Sequence, residues 1–228
     1  MKSIIQVAGI RSLEEAQAIM ACGINYLGFP LRLDIHTPDL TEEEASRIIR
    51  SLGKRCKSVL ITYLNKAREI TEFSEYLGTN YVQLHGPVEP EELVKIKKAK
   101  KIFIIKSLII GSVNEKCLVE NMRFEPYVDA FITDTFDPNT GASGATGLTH
   151  DWNVSKRIVE ISSCPVILAG GINHTNVREA IRLVKPAGVD SHTGVEDLHG
   201  NKDPILVKKF MEETTKTFDE LLNRNPEL

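Results

Sequence analysis

The chain lacks most of what would direct it to a membrane, to nucleic acid or to an oxidising compartment. Its longest apolar runs are strand-sized, far short of the ~20 residues that a membrane-crossing helix needs. Met1-Lys2-Ser3-Ile4-Ile5-Gln6 carries no signal-peptide core and enters a strand at once. No basic patch with interleaved aromatics occurs, and the formal charge is only −3, so no nucleic-acid partner is expected. Cys22, Cys56, Cys117 and Cys164 are scattered, with neither zinc-site nor disulfide spacing. They suit a reduced, cytoplasmic setting, and neither a metal nor a cofactor is expected. Linkers rich in Gly, Pro or Ser are also missing, so residues 1–228 read as one domain. A chain of this length buries roughly 70% or more of its unfolded surface, enough for a single large core.

What is present is a regular alternation of short apolar runs with amphipathic stretches. Strands are predicted at residues 4–8, 26–29, 58–63, 81–84, 102–106, 130–133, 166–169 and 188–190. Most are β-branched or aromatic-rich and do not alternate with polar residues, as parallel strands buried on both faces require. Ser12-Leu13-Glu14-Glu15 and Thr41-Glu42-Glu43-Glu44 read as capping boxes that open the first two helices. Further helices are predicted at 66–77, 90–99, 113–123, 152–161, 175–184 and 203–223. Eight strand–helix pairs with short links predict an α/β fold, a single (β/α)8 TIM barrel. A doubly wound open sheet is the alternative, since periodicity alone does not show closure.

Two glycine-rich turns say most about function. Ala169-Gly170-Gly171-Ile172-Asn173 closes the apolar run Pro165-Val166-Ile167-Leu168, and Ser191-His192-Thr193-Gly194 follows the next strand. Both offer backbone N–H groups where a phosphate can approach without meeting a Cβ. In (β/α)8 barrels a phosphate site commonly lies after the seventh and eighth strands. Gly170, Gly171, Ser191, Thr193 and Gly194 are therefore the candidate phosphate ligands, with Asp190 beside them. The loop Gly141-Ala142-Ser143-Gly144-Ala145-Thr146-Gly147 is small and glycine-rich, suited to fold over a substrate, and adds Gly144 and Gly147.

Catalytic residues of such barrels sit at the C-terminal ends of strands. Asp134 ends the predicted sixth strand, where burial raises a carboxyl pKa and makes a general acid; the competing reading is a loop or helix cap. His85, in Val82-Gln83-Leu84-His85-Gly86, either contacts substrate or braces its strand. Lys106 in Ile104-Ile105-Lys106-Ser107 must pair, snorkel or react, and a buried lysine can form a Schiff base.

At this point the residues resemble a known family, phosphoribosylanthranilate isomerase of tryptophan biosynthesis, along nearly the whole chain. Gly144-Ala145-Thr146-Gly147-Leu148-Thr149-His150-Asp151-Trp152 resembles the family's G-G-[ST]-G-K-T-F-D-W. Ala169-Gly170-Gly171-Ile172-Asn173 with Asn176-Val177 resembles A-G-G-L-x-P-x-N-V, and residues 189–196 resemble V-D-V-S-S-G-V-E. Tyr81-Val82-Gln83-Leu84-His85-Gly86 and Gly28-Phe29 also match. The resemblance implies an Amadori rearrangement of an aminoaldose phosphate to an aminoketose phosphate. A strand-six aspartate, here Asp134, then protonates the ring oxygen, and a strand-one cysteine in K-I-C-G-I removes the C2 proton.

Several positions depart from the pattern. Gln6-Val7-Ala8-Gly9-Ile10 puts Ala8 at the cysteine and Gln6 at the lysine. Residues 28–38 replace the family's S-P-R segment, whose arginine holds the anthranilate carboxylate, with Arg32 as the nearest substitute. Leu148 replaces a lysine, and His150 and His192 are further polar changes near the mouth. His36 and Asp34 are the expected substitute bases, since histidine titrates near neutrality. The leading expectation is thus an isomerase acting on a phosphoribosyl amine or related sugar phosphate, as a monomer or homodimer. A barrel using Lys106 as a Schiff base and a catalytically silent sugar-phosphate binder are the alternatives.

Overall fold

The computed structural model describes residues 3–34, 37–111, 120–135 and 147–224. Eight parallel strands close into a barrel in sequential order: β1 (Ile4–Ala8), β2 (Tyr26–Pro30), β3 (Lys57–Thr62), β4 (Tyr81–Leu84), β5 (Phe103–Ile110), β6 (Ala130–Thr135), β7 (Val166–Leu168) and β8 (Gly188–Ser191). Closure excludes the open-sheet alternative. It is made by β1 pairing with β8, with Gln6 opposite Asp190 and Val7 opposite Ser191. Around the strands lie α1 (Leu13–Ala21), α2 (Glu42–Leu52), α3 (Ala67–Leu77), α4 (Pro90–Ala99), α5 (Trp152–Ile161), α6 (Val177–Val184) and α7 (Pro204–Arg224). Among the described residues, no helix is long and apolar enough to cross a membrane.

The two-residue period of each strand divides the core. Alternate residues such as Ile4, Ala8, Val59, Ile61, Ile105, Ala130, Ile132, Ile167 and Ala169 fill the barrel interior. Their neighbours, among them Val7, Leu60, Val82, Ile104 and Phe131, pack outward against the helices in the larger cluster. Because both faces are buried, the strands read as continuous apolar runs.

The elements differ from expectation at a few places. β5 runs four residues beyond Lys106, because its ladder with β6 continues to Ile110 opposite Thr135. Thr41 and Glu44 form the full capping box of α2. Ser12 caps α1, but Glu15 does not complete its box; the carboxylate takes the backbone N–H groups of Arg11 at 2.7 Å and Lys202 at 2.8 Å. α6 starts at Val177 rather than at 175, since Asn173 Oδ1 accepts the Thr175 N–H and turns the chain first. The helix expected at 113–123 falls mostly outside the described residues, and its tail enters a 3₁₀ segment, Met122–Tyr127, which contains Pro126.

Candidate active site

A cleft opens at the C-terminal ends of the strands. Ala8, Ile61, Gln83, Asp134 and Asp190 form its inner part, and Tyr63, His85, His192 and the turns after β7 and β8 stand around them. Asp134 continues the inward-facing series of Ala130 and Ile132, which is why it meets the cleft rather than the helix layer. Burial pushes its carboxyl from 3.8 up to about 7, against a smaller opposing pull from the Thr135 N–H, which donates to Oδ1 at 2.8 Å. Asp190 is likewise raised to about 7, by burial first and then by the charge of Asp134, with Gln6 and Lys202 partly offsetting. Its buried Oδ1 has no hydrogen-bond partner within the described protein. Two carboxyls that resist ionisation near neutrality give this floor a proton to donate.

Beside them a polar chain crosses the barrel interior. Gln6 Nε2 donates to Gln83 Oε1 at 3.2 Å, Gln83 Nε2 donates to Ser107 Oγ at 3.3 Å, and His85 Nδ1 lies 3.0 Å from the same oxygen. His85 is thus both braced and on the cleft, and its ring centroid is 5.1 Å from that of Tyr63. Burial and the charges of Asp134 and Asp34 hold the Tyr63 phenol above its usual range.

The glycine turns meet at the other side of the mouth. Gly170 and Gly171 both have positive φ, +88° and +62°, and a Cβ at residue 170 would stand 2.2 Å from Thr135 Oγ1. Only glycine fits that backbone without strain. Ser191 Oγ donates to Ile172 O at 2.7 Å, tying the β8 turn to the β7 turn. A one-turn 3₁₀ helix, Thr193–Val195, follows. Among the described residues, no protein acceptor takes the N–H of Gly170, Gly171 or Gly194. Gly147 and Thr193 border the same space, whereas Gly144 lies outside the described residues.

Four expectations are corrected by position. Arg32 does not face the cleft: its guanidinium makes a two-pronged ion pair with Glu42, at 2.8 and 3.1 Å, and lies 3.8 Å over the Phe73 ring. Asp34 is exposed and outside the cleft lining, and His36 lies outside the described residues. Lys106 alternates with inward-facing Ile105 and so points to the helix layer, where Nζ donates to the carbonyls of Leu84, Gly86 and Ser107 at 3.4, 3.2 and 2.8 Å. Burial lowers it to about 8, but it stands apart from the cleft, which removes the Schiff-base reading. His150 is a strut rather than a mouth residue. It sits between Thr135 Oγ1 at 2.9 Å and Ser155 Oγ at 2.6 Å, and burial holds it neutral, at about 4.

Sequence reasoning missed Lys202, whose buried Nζ meets Glu196 Oε1 at 2.5 Å and the His192 carbonyl at 3.2 Å. Its stretch reads as an ordinary polar loop, so no local signal marked it.

Comparison with known proteins gives the architecture its relatives. A family model described as N-(5'-phosphoribosyl)anthranilate (PRA) isomerase matches residues 5–213. N-(5'-phosphoribosyl)anthranilate isomerase 2 of Methanosarcina mazei is 36% identical over 223 residues, 96% of this chain and 97% of that protein. The crystal structure of phosphoribosyl anthranilate isomerase from Thermotoga maritima superposes with a TM-score of 0.80 at 28% identity, over 94% of this chain and 99% of the other. A phosphoribosyl anthranilate isomerase structure in complex with reduced 1-(o-carboxyphenylamino)-1-deoxyribulose 5-phosphate superposes at 0.78 with 26% identity, over 94% and 99% of the two chains. With four-fifths and more of its length matched by that family's model, and a curated relative above 30% identity along the whole barrel, the chain belongs to the phosphoribosylanthranilate isomerase family.

Proposed function

We propose that this chain isomerises N-(5'-phosphoribosyl)anthranilate by an Amadori rearrangement, with Asp134 as the general acid. The observation that carries this reading is the Asp134 carboxyl at the cleft floor, whose pKa burial raises to about 7, so that it still carries a proton near neutrality. Such a group donates its proton to the ring oxygen, the C1–O bond breaks, and the substrate nitrogen is left as an iminium. Its conjugate base is paired with nothing cationic in the described cleft lining, so proton return is favourable once the ring has opened.

The phosphate end is assigned to the turns after β7 and β8. The N–H groups of Gly170, Gly171 and Gly194 and the hydroxyl of Thr193 would surround a dianion, Gly147 would border the same space, and Ser191 would hold the two turns together. Asp190 and His85 would take the ribose hydroxyls, one with a buried oxygen still lacking a partner and the other with a ring steadied by Ser107. Arg32, already committed to Glu42, is left out of aglycone binding.

The test is conversion of phosphoribosylanthranilate by purified protein, followed by loss of substrate fluorescence, with Asp134→Asn as the control. Turnover in the parent and its loss by ~10²–10⁴-fold in the variant is expected. Parent activity at the level of buffer, or an unimpaired variant, would overturn the assignment.

A further inference from the structure

The rearrangement needs a base as well as an acid, and Ala8 places a methyl group where the family pattern has its thiol. The barrel brings a second departure to the same spot. β1 and β8 are neighbours in register, Gln6 with Asp190 and Val7 with Ser191, and Ala8 and His192 are the residues that follow this last pair on the two chains. Both line the cleft. The contact is close: a Cβ built on Gly9 would lie 2.1 Å from His192 Nε2 and 2.7 Å from its Cδ2, so the imidazole rests directly on the backbone that follows Ala8. In the pattern V-D-V-S-S-G-V-E this position is a serine. The chain therefore loses a proton acceptor at the end of β1 and gains one at the end of β8, on the same few ångströms of surface.

We infer that His192 is the catalytic base of this isomerase, the group that removes the C2 proton after Asp134 has opened the ring. This inference rests on the isomerase reading given above. The imidazole nitrogen takes the C2 proton, the C2–H electron pair becomes the C1=C2 bond, and the iminium π pair returns to nitrogen. The resulting enaminol becomes the ketone as O2 loses a proton and C1 gains one, so no oxidant or other reactant is consumed. Imidazole suits the step because its ordinary pKa lies close to neutrality.

Glu196 Oε1 is 3.6 Å from His192 Nε2, and Lys202 fixes that carboxylate at 2.5 Å while donating to the His192 carbonyl at 3.2 Å. Glu196 and Lys202 thus hold the imidazole and its backbone in place at the cleft. Other groups on the cleft are less suited. His85 directly follows β4, three strands from β1, and Asp39 is paired with Arg11 at 3.0 Å. Asp190 lies beside Asp134, whose charge opposes its ionisation.

The experiment compares steady-state kinetics with affinity for reduced 1-(o-carboxyphenylamino)-1-deoxyribulose 5-phosphate, which binds without proton transfer. Parent turnover must first be established, because its absence defeats the isomerase reading itself. Given turnover, His192→Gln should lower kcat by ~10²–10⁴-fold while inhibitor affinity stays within about threefold. The inhibitor also reports that the variant is folded. Restoring the family pattern in Ala8→Cys with His192→Ser should recover at least tenfold over His192→Ser alone. Free imidazole in the buffer should raise the activity of His192→Ala. A His192→Gln enzyme with kcat within threefold of the parent would overturn the inference, as would a rise in KM at constant kcat, which would make His192 a substrate-binding group. Failure of both the thiol and the added imidazole to restore turnover would also count against it.

Discussion

Replacing Asp134 by asparagine should make this protein more stable and, at the same time, inactive. A carboxyl moved from 3.8 to about 7 by burial is one that the fold holds at a cost of about 4 kcal/mol in its ionised form. Asp190 is raised to the same region, partly by Asp134, so removing one charge also relieves the other. Between pH ~4 and ~7 the native state holds a proton that the unfolded chain has released. Stability therefore falls as pH rises through that window, and is flat above it. Asparagine never ionises, and its amide oxygen still accepts the Thr135 N–H that Asp134 takes at 2.8 Å. The variant's advantage over the parent should be near zero at pH 4. It should grow across the window to about 2–4 kcal/mol at pH 8.5, with relaxation and water penetration lowering the full figure. At ~2–4 °C per kcal/mol for a domain of this size, that is a rise in Tm of about 5–15 °C. Urea unfolding of both proteins at pH 4, 5.5, 7 and 8.5, followed by circular dichroism, measures it. A difference that does not vary with pH, or a variant less stable than the parent at pH 8.5, would refute the reasoning.

Three further outcomes follow from position in the barrel. Gly170→Ala adds a Cβ 2.2 Å from Thr135 Oγ1 at a φ of +88°, and should cost at least ~1–3 kcal/mol and raise KM more than it lowers kcat, measured by denaturation and steady-state assay. Lys106→Met removes a buried cation that faces the helix layer; turnover should stay within about threefold, and borohydride treatment of the parent with substrate should leave no adduct on Lys106, as read by peptide mass. Arg32→Ala should leave KM within about threefold and destabilise by less than ~1–2 kcal/mol, because a half-exposed ion pair with Glu42 is weak; a tenfold KM rise would return the arginine to the aglycone site.

The architecture was readable because parallel strands buried on both faces leave continuous apolar runs, and each such run became a strand at nearly the expected residues. The errors lie where a polar residue interrupted a run or a distant partner intervened. Ser107 looks like the end of β5, yet it faces the interior, where Gln83 and His85 hold it, and the ladder continues past it to Ile110. Glu15 has capping-box spacing, but its carboxylate is shared between the Arg11 N–H, one residue before the cap, and the Lys202 N–H, 187 residues away. No window of local sequence contains the second of these competitors. Lys106 was readable in principle, since the two-residue period puts it opposite in phase to Ile105, and only a secure register converts that period into inward or outward.

The site divides along the same physical line. Its proposed phosphate end is written locally, because a glycine that must adopt φ of +88° beside a strand end announces itself wherever it occurs. Asp134 is local too, a carboxylate at the end of an apolar run. The proposed base is not. Residues 8 and 192 stand near opposite ends of the chain and line one cleft only because β8 closes on β1, so a loss at one and a gain at the other read as unrelated changes until the barrel is formed. Closure turns the first and last strands into neighbours, and a proton acceptor needed at one point of the mouth can then be supplied from either strand. What the chemistry fixes is the place of the lone pair relative to Asp134, not the strand that carries it.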